Sequence, residues 1–184
     1  ARFANWLHNG QPTGDQGPGT TETGAYDLNG ANTSQALASI TRGANWRWAV
    51  TSKDEWYKAA YQKNDGLAAS YYTFPTSTNS SPSSALLDPD PGNQAAFYEN
   101  GFHPGSPYYM SEVGAEENSA SPYGTFDQGG NVWEWNEAVS GLERGIGGGG
   151  FGDAVSRMNS STSFSNYTST ERGNFLGFRV VQVV

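Results

Sequence analysis

The 184-residue chain has no cysteine and only two histidines, His8 and His103. Without thiols it cannot be stapled by disulfides, cannot use a sulfur nucleophile and cannot build a thiolate centre for a soft metal. Two histidines fall short of a three-histidine iron site, and they would need carboxylate help to hold zinc. Neither sits in an acidic partner motif, so both read as surface or capping groups. Lys and Arg number 10 against 18 Asp and Glu, giving a net charge of -8 and a pI near 4.6. Nucleic acid is therefore not expected as a partner, because phosphate contacts need clustered cations. There is no long apolar run, and mean hydropathy is -0.64, so no membrane span is expected.

What the chain does have is glycine (24) and aromatic residues (14% of the chain), with charged residues at only 15%. The length suits one domain with a substantial core. That core must lean on Trp, Tyr and Phe, each of which buries a large area. Ser, Thr, Asn and Gly between them predict few long helices and many loops. An acidic, lysine-poor composition of this kind is expected of a secreted or cell-surface protein. Asn32, Asn79, Asn159 and Asn166 each open an N-glycosylation sequon, which is permissive of a glycoprotein.

Local patterns place a few elements. Phe3, Trp6 and Leu7 fall at i, i+3 and i+4, the spacing of a helix that should stop near Asn9-Gly10. Tyr26 to Gly30 reads as a short strand entering a turn, and residues 45–50, NWRWAV, alternate like a strand. Ser52 and Glu55 form an S-x-x-E capping box, opening a helix with Trp56, Ala59 and Ala60 on one face and Trp56 in the core. Residues 64–93 are rich in Pro, Ser, Thr and Asp and read as irregular surface. Within them, Asp88 and Asp90 serve either a turn, which the Asp-Pro steps favour, or a second cation. Residues 97–110 carry Tyr98, Phe102, Tyr108 and Tyr109, which form a binding surface if exposed and core if buried.

The organising stretch is residues 123–137, YGTFDQGGNVWEWNE. Asp127 and Glu134 flank Gly129-Gly130, where glycine permits a sharp turn and close approach of carbonyls to a ligand. Trp133 and Trp135 alternate with Val132 and Glu134, which predicts a strand whose two faces differ. Two readings stand open. Asp127, Glu134 and backbone carbonyls converge on calcium, a cation that takes about 6–8 oxygens in irregular geometry. Alternatively, Asp127 bonds turn amides and Glu134 pairs with a buried arginine such as Arg179.

The same stretch resembles the signature of the formylglycine-generating enzyme, or sulfatase-modifying factor, family. ARFANWL at the start, SKDEWYKAAY at residues 52–61, RGIGGGGF at 144–151 and LGFRVV at 176–181 are similar to further family motifs, in the family order. The resemblance implies an α+β fold of the C-type-lectin-like, sulfatase-modifying-factor type. It would be one domain over 1–184, with two main helices, short twisted antiparallel strands and much irregular loop. It implies a calcium held by Asp127, Gly130, Val132 and Glu134, the glycine and valine through their carbonyls. It also implies that a strand precedes the first helix, so the chain is expected to lack that strand and to be a processed or partial product. In the family that strand pairs with the closing one, so residues 178–183 should present an unpaired edge, open to a neighbouring copy.

The family's chemistry uses two cysteines to bind copper and oxidise a substrate cysteine. Aligned on the glycine run, those positions are Asp153 and Met158, so no copper is expected. The helical three-histidine domain of the ergothioneine-synthase relatives is not in this sequence. Function is therefore expected to be a non-catalytic, calcium-stabilised module that binds a glycan or protein or associates with itself, in a structural or filament-type role. The alternative is a family enzyme with a non-cysteine centre drawn from Asp153, Glu171 and His103.

Overall fold

The computed structural model describes residues 1–67, 70–162 and 164–183. Three helices, α1 (Arg2–His8), α2 (Ser34–Ala38) and α3 (Lys53–Tyr61), lie in the first third of the chain. Strand β1 (Trp48–Val50) precedes α3. Strands β2 (Trp133–Ser140), β3 (Glu143–Gly147), β4 (Phe164–Thr168), β5 (Leu176–Phe178) and β6 (Val180–Gln182) fill the last third, with a 3-10 turn at Val155–Met158. Among the described residues, 62–132 carry no strand or helix beyond isolated bridges. This is a small α+β domain with few helices, short sheets and long loops.

Helix α3 begins where local chemistry says it must. Ser52 Oγ accepts from Glu55 N at 3.2 Å while the Glu55 carboxylate accepts from Ser52 N at 2.7 Å. These two bonds cover amides that a helix start otherwise leaves unpaired. The buried face is Trp56, Ala60 and Tyr61, all fully inaccessible, whereas Ala59 is half-buried. Trp56 meets Tyr61 and Phe164 edge-on at centroid distances of 5.9 and 5.4 Å.

Helix α1 buries a different face from the one its apolar spacing predicts. Ala4 and Asn5 are inaccessible, while Phe3 stays 46% exposed. Asn5 is drawn inward because its amide answers three backbone groups. Its Nδ2 donates to Thr21 O and Tyr26 O, and its Oδ1 accepts from Tyr26 N. Burying an amide is affordable only when it is so satisfied. Residues 26–30 are not a strand: Tyr26 anchors the loop, its hydroxyl bonding Val50 N and Glu137, and Asn29-Gly30 turns with positive φ.

Four strands form one sheet in the order β4-β3-β2-β5, and β1 pairs with β6 in a second. All pairs are antiparallel except β2 with β5, which runs parallel. The closing strand is not an unpaired edge awaiting another chain: Val180, Val181 and Gln182 pair with Val50, Ala49 and Trp48. The motive for sheet completion by a neighbouring copy is thereby removed. β2 lies inside its sheet and is covered on both sides, so Trp133 and Glu134 are each only 6% exposed. Further along, Asn136 is buried while Trp135 and Glu137 are half-buried, so the two faces do differ there. Among the described residues no helix is long and apolar enough to cross a membrane.

Candidate functional site

The turn at 127–131 enters β2 through two residues with left-handed backbone, Asp127 and Asn131, and through Gly130 (φ +78°). Gly130 is required for a second reason. A Cβ there would overlap the Ala96 carbonyl oxygen, which itself accepts from Asn131 N at 2.7 Å. Close behind it, Gly148 (φ +97°) brings the glycine run against Gln128, where a Cβ would stand 2.6 Å from the Gln128 carbonyl. The two glycine motifs thus pack against each other, and Gly130 N donates to Gly148 O.

Glu134 leaves this turn for the interior. Its carboxylate receives Arg179 Nε and Nη2, both at 2.6 Å, and Trp56 Nε1 at 2.6 Å. Bidentate Arg–carboxylate pairing with a third donor accounts for both oxygens. Asp127 stays at the turn, where Oδ2 accepts from Gly114 N at 2.7 Å. It lines a small cavity with Glu116, Gln128 and Asn131, and Glu134 is not among that cavity's lining residues. Of the residues implied as calcium ligands, Asp127 lines this cavity, whereas the Glu134 carboxylate points to Arg179 and Trp56. Glu116 is the residue that does share the cavity. Burial, with Asp127 against it, pushes its carboxyl up to about 7. Sequence reasoning missed Glu116 and Asn131. Only the acidic run EVGAEE marked the first, and the second sits inside the GGN turn itself.

The positions that carry the family's thiol pair have structural duties. Asp153 Oδ2 accepts from Trp133 Nε1 at 2.7 Å and from Gly150 N at 3.0 Å, which fastens the glycine turn to β2. Met158 is 1% exposed and packs with Phe74, Ala95 and Phe97, while its carbonyl accepts from the Tyr61 hydroxyl at 2.9 Å. His8 Nδ1 accepts from Arg47 N at 2.9 Å, and His103 and Glu171 lie exposed. Among the described residues, no three His, Cys, Asp or Glu side chains form a metal-holding group.

Asp90 is a buried organiser of its loop. It is 3% exposed and accepts from Gly92 N, Gln94 Nε2, Asn118 N and Ser119 Oγ at 2.7–2.9 Å. Burial pushes its carboxyl upward, but these four donors outweigh it and hold it below its ordinary value. Residues 97–110 divide between core and surface. Phe97 is 1% exposed, whereas Tyr98, Phe102, Tyr108 and Tyr109 face solvent, with Tyr108 at 74%. Phe102 joins Tyr98, Tyr109 and Phe151 at centroid distances of 5.1, 5.1 and 6.1 Å. Tyr98 N donates to Asp153 O, so this aromatic cluster is tied to the segment that carries Asp153.

Motif order, fold and the glycine-braced turn define a lectin-like α+β scaffold. The chain belongs to the family of sulfatase-modifying factor enzyme 1-like domains, whose profile matches residues 1–184. Its fold is similar to the crystal structure of CarF, at 20% identity and a TM-score of 0.56, covering 80% of this chain and 52% of that one. It is also similar to variable protein 1 of Treponema denticola, at 20% identity and a TM-score of 0.55, covering 79% and 51%. The chain thus spans about half the length of these solved structures. No curated protein sequence matches it.

Proposed function

We propose that this domain is a non-catalytic binding module, secreted or displayed at a cell surface, whose aromatic loop at residues 98–109 engages a glycan or protein. The observation that carries this reading is the use made of positions 153 and 158. One anchors a turn and the other fills the core, while the loop bonded to that turn presents solvent-facing tyrosines and Phe102. Tyrosine gives large contact area at low entropic cost, and aromatic faces stack on sugar rings as readily as on apolar side chains. The acidic charge and the exposed sequon asparagines Asn32 and Asn166 support an extracellular setting.

The test is titration of the purified chain against a panel of soluble oligosaccharides and glycoproteins, with Tyr108→Ala and Tyr98→Ala in parallel. Binding that these variants weaken about tenfold or more, with unchanged melting temperature, is the expected result. Copper-dependent oxidation of a cysteine peptide by the unaltered chain would refute the non-catalytic reading. A partner that is a second copy of the chain would appear as a doubled or larger native mass by light scattering, lost in the same variants.

A further inference from the structure

Charge is spread unevenly along this chain. Residues 64–143 contain no Lys or Arg, yet they carry eleven of the 18 Asp and Glu and only one histidine, His103. Acids of this stretch that turn inward are answered: Glu134 by Arg179, Glu137 by Arg42 and Asp90 by its four hydrogen-bond donors. Asp88, Glu99, Glu112 and Glu117 instead face solvent, and among the described residues none of them forms an ion pair. Hydrogen bonds interlock the loops that carry them. Ser84 Oγ donates to Glu99 at 3.1 Å, and Asn118 N donates to Asp90 at 2.8 Å. Phe102, Tyr108 and Tyr109 lie between Glu99 and Glu112 in the sequence, and Tyr98 adjoins Glu99.

The rings of this loop do not make a flat platform. Phe102 meets Tyr98, Tyr109 and Phe151 at interplanar angles of 71°, 74° and 51°, so π faces turn in several directions. An aromatic face attracts a cation held within about 6 Å of its centroid. Elsewhere in the protein that attraction is met internally. Arg42 lies over Trp46, Lys53 over Phe164, Lys58 over Tyr123 and Lys63 over Tyr72, at 4.3–5.7 Å. Among the described residues no Lys or Arg lies over Tyr98, Phe102, Tyr108 or Tyr109. A neutral sugar would use the rings and leave the exposed carboxylates unanswered. An acidic partner would be repelled by them. Ammonium and guanidinium groups use both, resting on the rings and facing the carboxylates.

We infer that the aromatic loop docks a basic, Lys- and Arg-bearing segment of another protein. This rests on the proposal that the loop is a binding surface, and it names the chemistry of the partner. Carboxylates spread from Asp88 to Glu117 match an extended segment with several cations better than they match a single small ammonium group. The aromatic side chains supply affinity, while the carboxylates supply charge selectivity and speed encounter.

Fluorescence anisotropy of the full chain tests this with labelled peptides of equal length that carry Lys and Arg, Gln, or Glu at the same positions. Binding of the basic peptide alone is expected, and it should weaken as salt rises. Tyr98→Ala with Tyr108→Ala should weaken it about tenfold or more, as should Glu99→Gln with Glu112→Gln. Asp15→Asn with Asp27→Asn removes the same charge from exposed positions outside these loops and should change affinity less than about twofold. Thermal melts check that each variant is folded, and Glu112→Gln alone carries the charge test if loss of the Glu99–Ser84 bond disturbs the loop. Equal weakening by the Asp15 and Asp27 substitutions would mean diffuse attraction to an acidic chain and would overturn the inference. So would a preference for the Gln or Glu peptide. A neutral oligosaccharide that binds where the basic peptide does not, with loss in the tyrosine variants, would overturn it and leave the binding-module reading standing. Tyrosine variants that change the binding of no ligand would remove both.

Discussion

Replacing Arg179 by leucine isolates the energetics on which the centre of this fold rests. The Glu134 side chain is 8% accessible and that of Arg179 is 20% accessible. The substitution would strand a carboxylate with only Trp56 Nε1 as its donor, in a place water hardly reaches. Removing one partner of such a pair costs about 3–5 kcal/mol. A domain of this size loses about 2–4 °C of melting temperature per kcal/mol, so a fall of roughly 6–20 °C is expected. Glu134→Gln breaks the same pair from the other side and should cost less, about 1–3 kcal/mol. A glutamine oxygen still accepts from Trp56 Nε1. Arg179, with more exposure, can turn its charge toward solvent while it donates to Phe126 O at 3.0 Å. Urea unfolding followed by tryptophan fluorescence measures both, with m-values compared to verify that the same cooperative unit unfolds. If Glu134→Gln destabilises as much as Arg179→Leu or more, the argument from unequal burial is wrong.

Other perturbations read other links. Ser52→Ala removes one half of the α3 capping box and should cost about 1 kcal/mol by urea denaturation; no loss would mean the helix start is held by packing alone. Gly130→Ala must both strain a backbone at φ +78° and displace the Ala96 carbonyl, so a loss of about 2–4 kcal/mol or failure to fold is expected in a thermal melt. Acid should weaken the fold below about pH 4.5. The Arg2 bond holds Glu22 below its ordinary value, and the Arg42 bond does the same for Glu55. A carboxyl lowered in the folded state contributes stability above its unfolded pKa, and that contribution is lost as pH falls through the folded value. Glu22→Gln should therefore flatten the decline between pH 5 and 3 in a series of urea midpoints, and an unchanged slope would count against the Arg2 pairing.

The features readable from sequence were those decided locally. The α3 start follows from Ser52 and Glu55, three residues apart, and needed no knowledge of the fold. The β2 strand was evident from its tryptophans, and the pairing of Glu134 with Arg179 stood as one of two readings because an acid in a buried strand needs a cation. What sequence could not supply were the choices made by distant backbone. Phe3 and Trp6 look like the inner face of α1, yet Asn5 takes that place because the loop at 21–26 offers it three hydrogen bonds. Residues 26–30 have the composition of a strand, but Tyr26 is spent on β1 and on Glu137, 111 residues away. The same limit hid Glu116. Nothing in the run EVGAEE distinguishes a solvated acid from one folded against Asp127.

The residues at the two positions where the family carries its cysteines have structural duties of their own. Asp153 accepts two hydrogen bonds that hold the glycine turn to the indole of Trp133, a role the short side chain of cysteine cannot fill in the same way, since sulfur is a weak acceptor. Met158 fills a pocket between Phe74 and Phe97 that a cysteine would leave partly empty, at a cost in lost contacts and cavity. Each replacement is therefore coupled to its own neighbours rather than to the other. Placing cysteine at both positions would therefore cost an anchored turn and a filled core.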